Sequence, residues 1–187
     1  MIVTGNNLTK IEKLRSYLAK EFEMKDLGAL KYFLGIDVSR SKQELFLSQR
    51  KYTLDLLAET GNSTCKTVYT PIEINHYLSI YSDQILMNRE RYQRLVGKLI
   101  YLTHTLPNLS YVVSIITQFM HNLSDRHMNV VNCILTYLKS FPGKGIMFSR
   151  HGHLNIEGYI DSDFVESKLD RNSNLGFVSF VGGNLVT

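Results

Sequence analysis

The sequence predicts an α+β chain in which a helix and β-hairpin lead into a three-helix subdomain and then an incomplete β-sheet. Three observations predict it. Apolar residues recur at helical spacing in the early and middle parts of the chain, alternating β-rich runs lie at about residues 31–48, and the pattern changes from helical to strand-like after Phe141-Pro142-Gly143. In 187 residues, 44% hydrophobic and 20% charged, there is enough apolar material for a core and too little charge bias for wholesale disorder.

Met1 to Gly5 reads as the tail of a strand closed by a Gly5-Asn6-Asn7 turn. Ile11, Leu14, Leu18 and Phe22 then mark an amphipathic surface helix, with a capping-box pattern from Thr9 to Glu12. Lys31–Val38 and Glu44–Ser48 read as two antiparallel strands joined by the polar stretch Ser39–Gln43. Tyr52, Leu56 and Leu57 mark a short helix that ends at Gly61, a residue that enters the left-handed region without steric cost. Residues 62–88 carry no stable period and contain Pro71, so they read as a connector containing a domain boundary. Three helices are expected at about 89–104, 108–122 and 126–140. Strands are expected at Ile146–Phe148, Leu154–Ile160, Leu175–Val181 and from Leu185. A sheet begun only in the last quarter of the chain leaves an open edge, and both ends read as cut through an element.

Composition excludes several classes. The longest apolar runs fall far short of the roughly 18 residues of a membrane span, and Met1–Gly5 opens no secretory signal, so an intracellular location is expected. Asn-x-Ser/Thr triplets at Asn7, Asn62, Asn108 and Asn122 are most simply chance matches. Cys65 and Cys133 form no Cys-x-x-Cys pair and support neither a zinc ribbon nor a disulfide scaffold. His151 and His153 lack a third ligand at a readable spacing, and structural or solvent-facing roles are expected for them and for His76, His104, His121 and His127. The net charge of +4 has its basic surplus in residues 61–150, while residues 151–187 are net acidic. A basic bias suits a polyanion or a solvated face equally.

Several blocks in order carry a more specific signal. Phe22-Glu23-Met24-Lys25-Asp26-Leu27-Gly28 through Ile36, Leu45-Phe46-Leu47-Ser48-Gln49-Arg50-Lys51-Tyr52, Thr70-Pro71, Tyr92-Gln93-Arg94-Leu95-Val96-Gly97-Lys98-Leu99-Ile100-Tyr101-Leu102-Thr103-His104-Thr105, and Gly158-Tyr159-Ile160-Asp161-Ser162-Asp163 resemble the reverse transcriptases of copia-type retrotransposon Pol polyproteins. The likeness covers essentially the whole chain. It implies that residues 1–61 resemble the end of a polymerase palm with a primer-grip-like hairpin, 62–88 a connector, 89–142 a helical thumb or connection, and 143–187 the start of a ribonuclease H-like domain.

The family's polymerase site is a Tyr-Val-Asp-Asp turn whose carboxylates hold two metal ions, and this sequence has no Asp-Asp pair. The resemblance therefore implies a fragment of an RNA-directed DNA polymerase without catalytic activity, or alternatively a sequence-independent nucleic-acid-binding module; a partner supplying the palm in trans is a third possibility. Phe33-Leu34-Gly35 matches the primer grip, although a glycine at a bulge or in tight strand packing explains the same residues. Arg91, Arg94 and Lys98, at spacings of three and four, form either a phosphate-tracking face or a solvated face opposite Tyr92, Leu95, Leu99 and Leu102. Leu106-Pro107-Asn108 stands where the family shows Arg-Pro-Asp, so both charges are gone together. Asp161 matches the first metal ligand of ribonuclease H, but with the other carboxylates missing Asp161 and Asp163 read rather as exposed acids near a strand end. The resemblance implies magnesium and an RNA/DNA template-primer for the intact family. For this fragment it implies no cofactor and weak or absent template binding, with no membrane or small-molecule partner.

Overall fold

The computed structural model describes residues 2–72, 78, 88–163 and 174–186. Within them the chain is mixed helix and sheet, with two antiparallel sheets, as the α+β expectation requires. Residues 2–5 form no strand, because no neighbouring strand among the described residues hydrogen-bonds them; the expected strand tail is absent. Helix α1 spans Leu8–Glu21, and its N-cap is Asn7, whose Oδ1 accepts from the Lys10 amide at 3.0 Å. The Thr9–Glu12 capping box is thereby displaced: Thr9 already lies inside the helix, and Asn7 caps it two residues earlier. No side chain of α1 is buried; Ile11 and Leu18 reach only half-burial.

The run Lys31–Val38 is two strands, not one. Strands β1 (Tyr32–Phe33) and β2 (Ile36–Arg40) pair Phe33 with Ile36, leaving Leu34 and Gly35 as a two-residue turn with φ of 49° and 82°. Positive φ at both central positions matches the right-handed twist of the flanking strands. β3 (Glu44–Ser48) follows across the short link that the sequence predicts. The fourth strand of this sheet, β4 (Gly145–Ser149), arrives from about a hundred residues downstream and pairs with β3 from Glu44↔Ser149 to Ser48↔Gly145. The expectation that Ile146–Phe148 opens the C-terminal sheet is corrected: strand pattern shows that a strand exists but not which edge it will find.

Helix α2 (Arg50–Glu59) ends through Thr60 and Gly61, with Gly61 at φ 72° as expected. A short 3-10 turn at Asn62–Thr64 leads into a segment lying along a later helix. The Ser140 hydroxyl donates to the Val68 carbonyl at 2.8 Å, Lys139 Nζ bonds the Cys65 carbonyl, and Val68 and Ile72 pack on the core. The rest of the connector, 73–77 and 79–87, lies outside the described residues.

Helices α3 (Arg89–Thr103), α4 (Ser110–Thr117) and α5 (Asp125–Ser140) enclose the core, and α2 joins them through Leu56 and Leu57. Tyr92, Leu95, Val96, Leu99 and Leu102 line the inner face of α3, each at most 2% exposed. Burial of each such side chain stabilises by about 1.5–3 kcal/mol relative to exposure. The Tyr92 hydroxyl donates to the Ile116 carbonyl at 2.7 Å, so its burial strands no polar group. α5 starts with a capping box in which the Ser124 amide donates to His127 Nδ1 at 2.9 Å while the His127 ring stacks on Phe119 at 4.0 Å, a structural role. At Leu106-Pro107-Asn108, Leu106 is buried in the core and Asn108 Nδ2 donates to the Tyr137 hydroxyl at 2.8 Å. The uncharged pair is thus absorbed without an unpaired buried charge.

The second sheet holds β5 (Ile156–Asp163), β6 (Asn174–Val181) and β7 (Asn184–Leu185) in that order. Its link to the first sheet is Asn184: Oδ1 accepts from the Ser149 amide at 2.6 Å and Nδ2 donates to the Ser149 carbonyl at 2.9 Å, closing the outer edge of β4. No helix of the described residues is long and apolar enough to cross a membrane.

Candidate nucleic-acid interface

Arg91, Arg94, Lys98 and Tyr101 follow one another at steps of three, four and three residues, so they form one stripe along α3. The inner face of that helix is committed to the core, which leaves the stripe facing outward beside α2. Arg91 and Arg94 are exposed and Lys98 is half-buried. Glu59 of α2 meets both later cations: Oε1 is 3.8 Å from Arg94 Nε, and Oε2 bonds Lys98 Nζ. The Lys98 hydrogen bond holds the Glu59 carboxyl below its ordinary value, aided by the charges of Lys98 and Arg94 and opposed by slight burial.

At the other end of the stripe, Tyr101 meets the hairpin. Its hydroxyl bonds the Leu34 carbonyl, and its ring meets that of Tyr52 edge-on at a centroid distance of 5.2 Å. Gly35 is wedged against both rings: a Cβ there would stand 3.4 Å from Tyr52 and 3.5 Å from Tyr101, in a backbone conformation that side chains already disfavour. Burial raises the Tyr52 hydroxyl's pKa, with smaller contributions from Tyr101 and Glu59. Tyr52 and Glu59 on α2 therefore face Tyr101 and the Arg94–Lys98 pair on α3, two rungs about 10 Å apart between antiparallel helices.

The structure thus brings together two groups that the sequence reading treated separately, the Phe33-Leu34-Gly35 hairpin tip and the Arg91, Arg94, Lys98 face. Leu34 stands out at 70% exposure and Phe33 at 37%, beside Tyr32, whose ring lies 5.8 Å from Lys51 Nζ. Tyr101, Tyr52 and Glu59 were missed. Tyr101 had a signal, since it continues the 91, 94, 98 spacing by one more step. Arrayed cations beside exposed aromatic and apolar groups have the chemistry to follow a phosphate backbone and touch bases or sugars.

Asp161 is placed elsewhere, exposed on β5 opposite Gly176, and the side chain of Asp163 lies outside the described residues. Among the described residues no three His, Cys, Asp or Glu side chains gather to hold a metal ion. A two-metal site needs several clustered carboxylates, and among the described residues Asp161 has no such cluster around it. His151 and His153 stack at 6.3 Å, with His151 Nδ1 2.7 Å from the Gly182 carbonyl.

Comparison with known proteins bears on the same residues. The family profile described as "Reverse transcriptase (RNA-dependent DNA polymerase)" matches residues 1–74. The chain is 38% identical over 182 residues to the retrovirus-related Pol polyprotein from transposon RE1 of Arabidopsis thaliana, covering 97% of this chain and 12% of that protein. It is 30% identical over 193 residues to the Pol polyprotein from transposon TNT 1-94 of Nicotiana tabacum, covering 98% of this chain and 14% of that one. An uncharacterized mitochondrial protein of Arabidopsis thaliana is 33% identical over 187 residues, covering 100% of this chain and 78% of its own length. The chain therefore spans about an eighth of the Pol polyproteins it matches. No solved structure matches it significantly.

Proposed function

The chain belongs to the reverse transcriptase family of copia-type retrotransposon Pol polyproteins, and from that premise we propose that it is a segment that holds an RNA/DNA template-primer without polymerising by itself. The observation that carries the reading is the Tyr101 contact, which seats the left-handed Leu34-Gly35 turn at the end of the Arg91–Arg94–Lys98 stripe. A fixed tip and a row of cations on one rigid support suit backbone contacts that position a duplex without reading its sequence. Within this reading, residues 1–61 are the end of the palm, 89–142 the thumb, and the strands β5–β7 the beginning of a ribonuclease H-like part. The family's paired aspartates have no counterpart here, since the sequence contains no Asp-Asp pair.

Two measurements on the purified chain test this. Primer extension with magnesium or manganese is expected to give no template-dependent incorporation; incorporation above background overturns the claim of no turnover. Filter binding to an RNA/DNA hybrid across a salt series is expected to show weak, sequence-independent affinity, and replacing Arg91, Arg94 and Lys98 together by Gln is expected to flatten the salt slope by up to about 3. Absence of binding at low salt removes the template-primer reading.

A further inference from the structure

Glu59 faces one cation with each carboxylate oxygen, hydrogen-bonded to Lys98 and ion-paired with Arg94, and the two cations come from successive turns of α3. All three groups keep contact with solvent: side-chain exposure is 42% for Glu59, 61% for Arg94 and 28% for Lys98. A phosphodiester presents the same pattern, two anionic oxygens to two cations. We infer that the gap between Arg94 and Lys98 is a phosphate-binding site, and that Glu59 occupies it as a built-in competitor which a backbone phosphate must displace. This rests on the proposal that the stripe faces nucleic acid.

Displacement costs little, because exposed ion pairs of this kind stabilise by only about 0–1 kcal/mol. The gain to a polyanion is larger in kind, since every neutralised phosphate releases condensed counterions. Arg91, one turn earlier and exposed, contacts phosphate without that competition. Glu59 thus sets how tightly the segment holds its ligand: the gap is net +1 with the carboxylate in place and +2 without it.

The test uses the full chain, Glu59→Gln, and two probes, a fluorescein-labelled RNA/DNA hybrid and pyrophosphate. Glu59→Gln is expected to bind both probes about twofold to fivefold more tightly at low salt, and to steepen the hybrid's salt slope by about 1. Glu12→Gln on α1, which removes the same charge elsewhere on the surface, is expected to match the wild type. In a background already carrying Arg94→Gln and Lys98→Gln, the gain from Glu59→Gln should vanish, as coupling through those side chains requires. Equal or weaker binding of both probes by a Glu59→Gln protein with unchanged circular dichroism overturns the inference, as does a gain that survives without Arg94 and Lys98. The two readings separate cleanly. Hybrid binding that is equal in wild type and Glu59→Gln leaves the template-primer proposal standing and sinks the competitor. A gain on pyrophosphate with no hybrid binding in any form leaves the phosphate site and sinks the template-primer proposal.

Discussion

The helical core and the β5–β7 sheet are built from similarly apolar sequence and end up in opposite states. In α3, Tyr92, Val96, Leu99 and Leu102 are all 0% exposed, while on the sheet Ile156 is 79%, Ile160 75% and Phe177 63% exposed. The helices share one core drawn from four elements, so each buried side chain is covered from more than one direction. The sheet satisfies its backbone through the β5–β6 ladder, but among the described residues Ile156, Ile160 and Phe177 find little cover while Val178, Phe180 and Val181 are half-buried. Hydrogen bonding alone specifies such a ribbon; burial is what would make it resist opening.

The largest effect should come from cutting into the covered side of this comparison. Leu99→Ala is expected to destabilise by about 2–5 kcal/mol, because it removes a side chain with no access to solvent and leaves a cavity. Ile160→Ala on β5 should cost no more than about 0.5 kcal/mol. Urea denaturation followed by far-UV circular dichroism measures both. Equal losses would mean that Ile160 has a covering surface and would end the comparison.

A smaller effect should come from the tie that holds the β5–β7 sheet to β4 of the first sheet. Asn184→Ala removes both bonds to the Ser149 backbone and is expected to cost about 1 kcal/mol. Its signature is regional. Hydrogen exchange should already be faster at residues 156–163 and 176–181 than at 92–102, and Asn184→Ala should accelerate the first two further without changing the third. Acceleration within 92–102 would show that core and sheet open as one unit.

The two regions also differ in how far the sequence reveals them. α2, α3 and α5 were legible because three- and four-residue spacing both forms the helix and selects its buried face, so one pattern carries two conclusions. The Gly61 stop was legible for the same local reason. β4 was legible as a strand but not in its place, because its partner β3 lies about a hundred residues away and alternation does not name a partner. The turn at Leu34-Gly35 was hidden by leucine, which rarely takes a positive φ and here does so with its carbonyl held by Tyr101. At the candidate interface the three cations were readable from spacing, whereas Glu59 was not, since nothing local says that α2 will lie antiparallel beside α3.

The smallest expected effect is the pH dependence of that Glu59 contact, and it sharpens the comparison by contrasting a surface tie with the core. The Lys98 hydrogen bond, ahead of the charges of Lys98 and Arg94, lowers the Glu59 pKa in the folded chain. A carboxyl whose folded value lies below its unfolded value of about 4.3 contributes stability that is fully present above pH ~4.3 and is lost as pH falls through the folded value. Exposure and salt screening keep the contribution under about 1 kcal/mol. Wild type should therefore exceed Glu59→Gln in urea midpoint at pH 7 and low salt, and the gap should close once the pH is below the folded value, and shrink in 1 M salt. The Leu99→Ala gap, set by volume rather than charge, should keep its size across the same series wherever the chain stays folded. A Glu59→Gln gap that ignores both pH and salt would assign Glu59 a packing role at the α2–α3 junction and remove the ionic account of how those helices are joined.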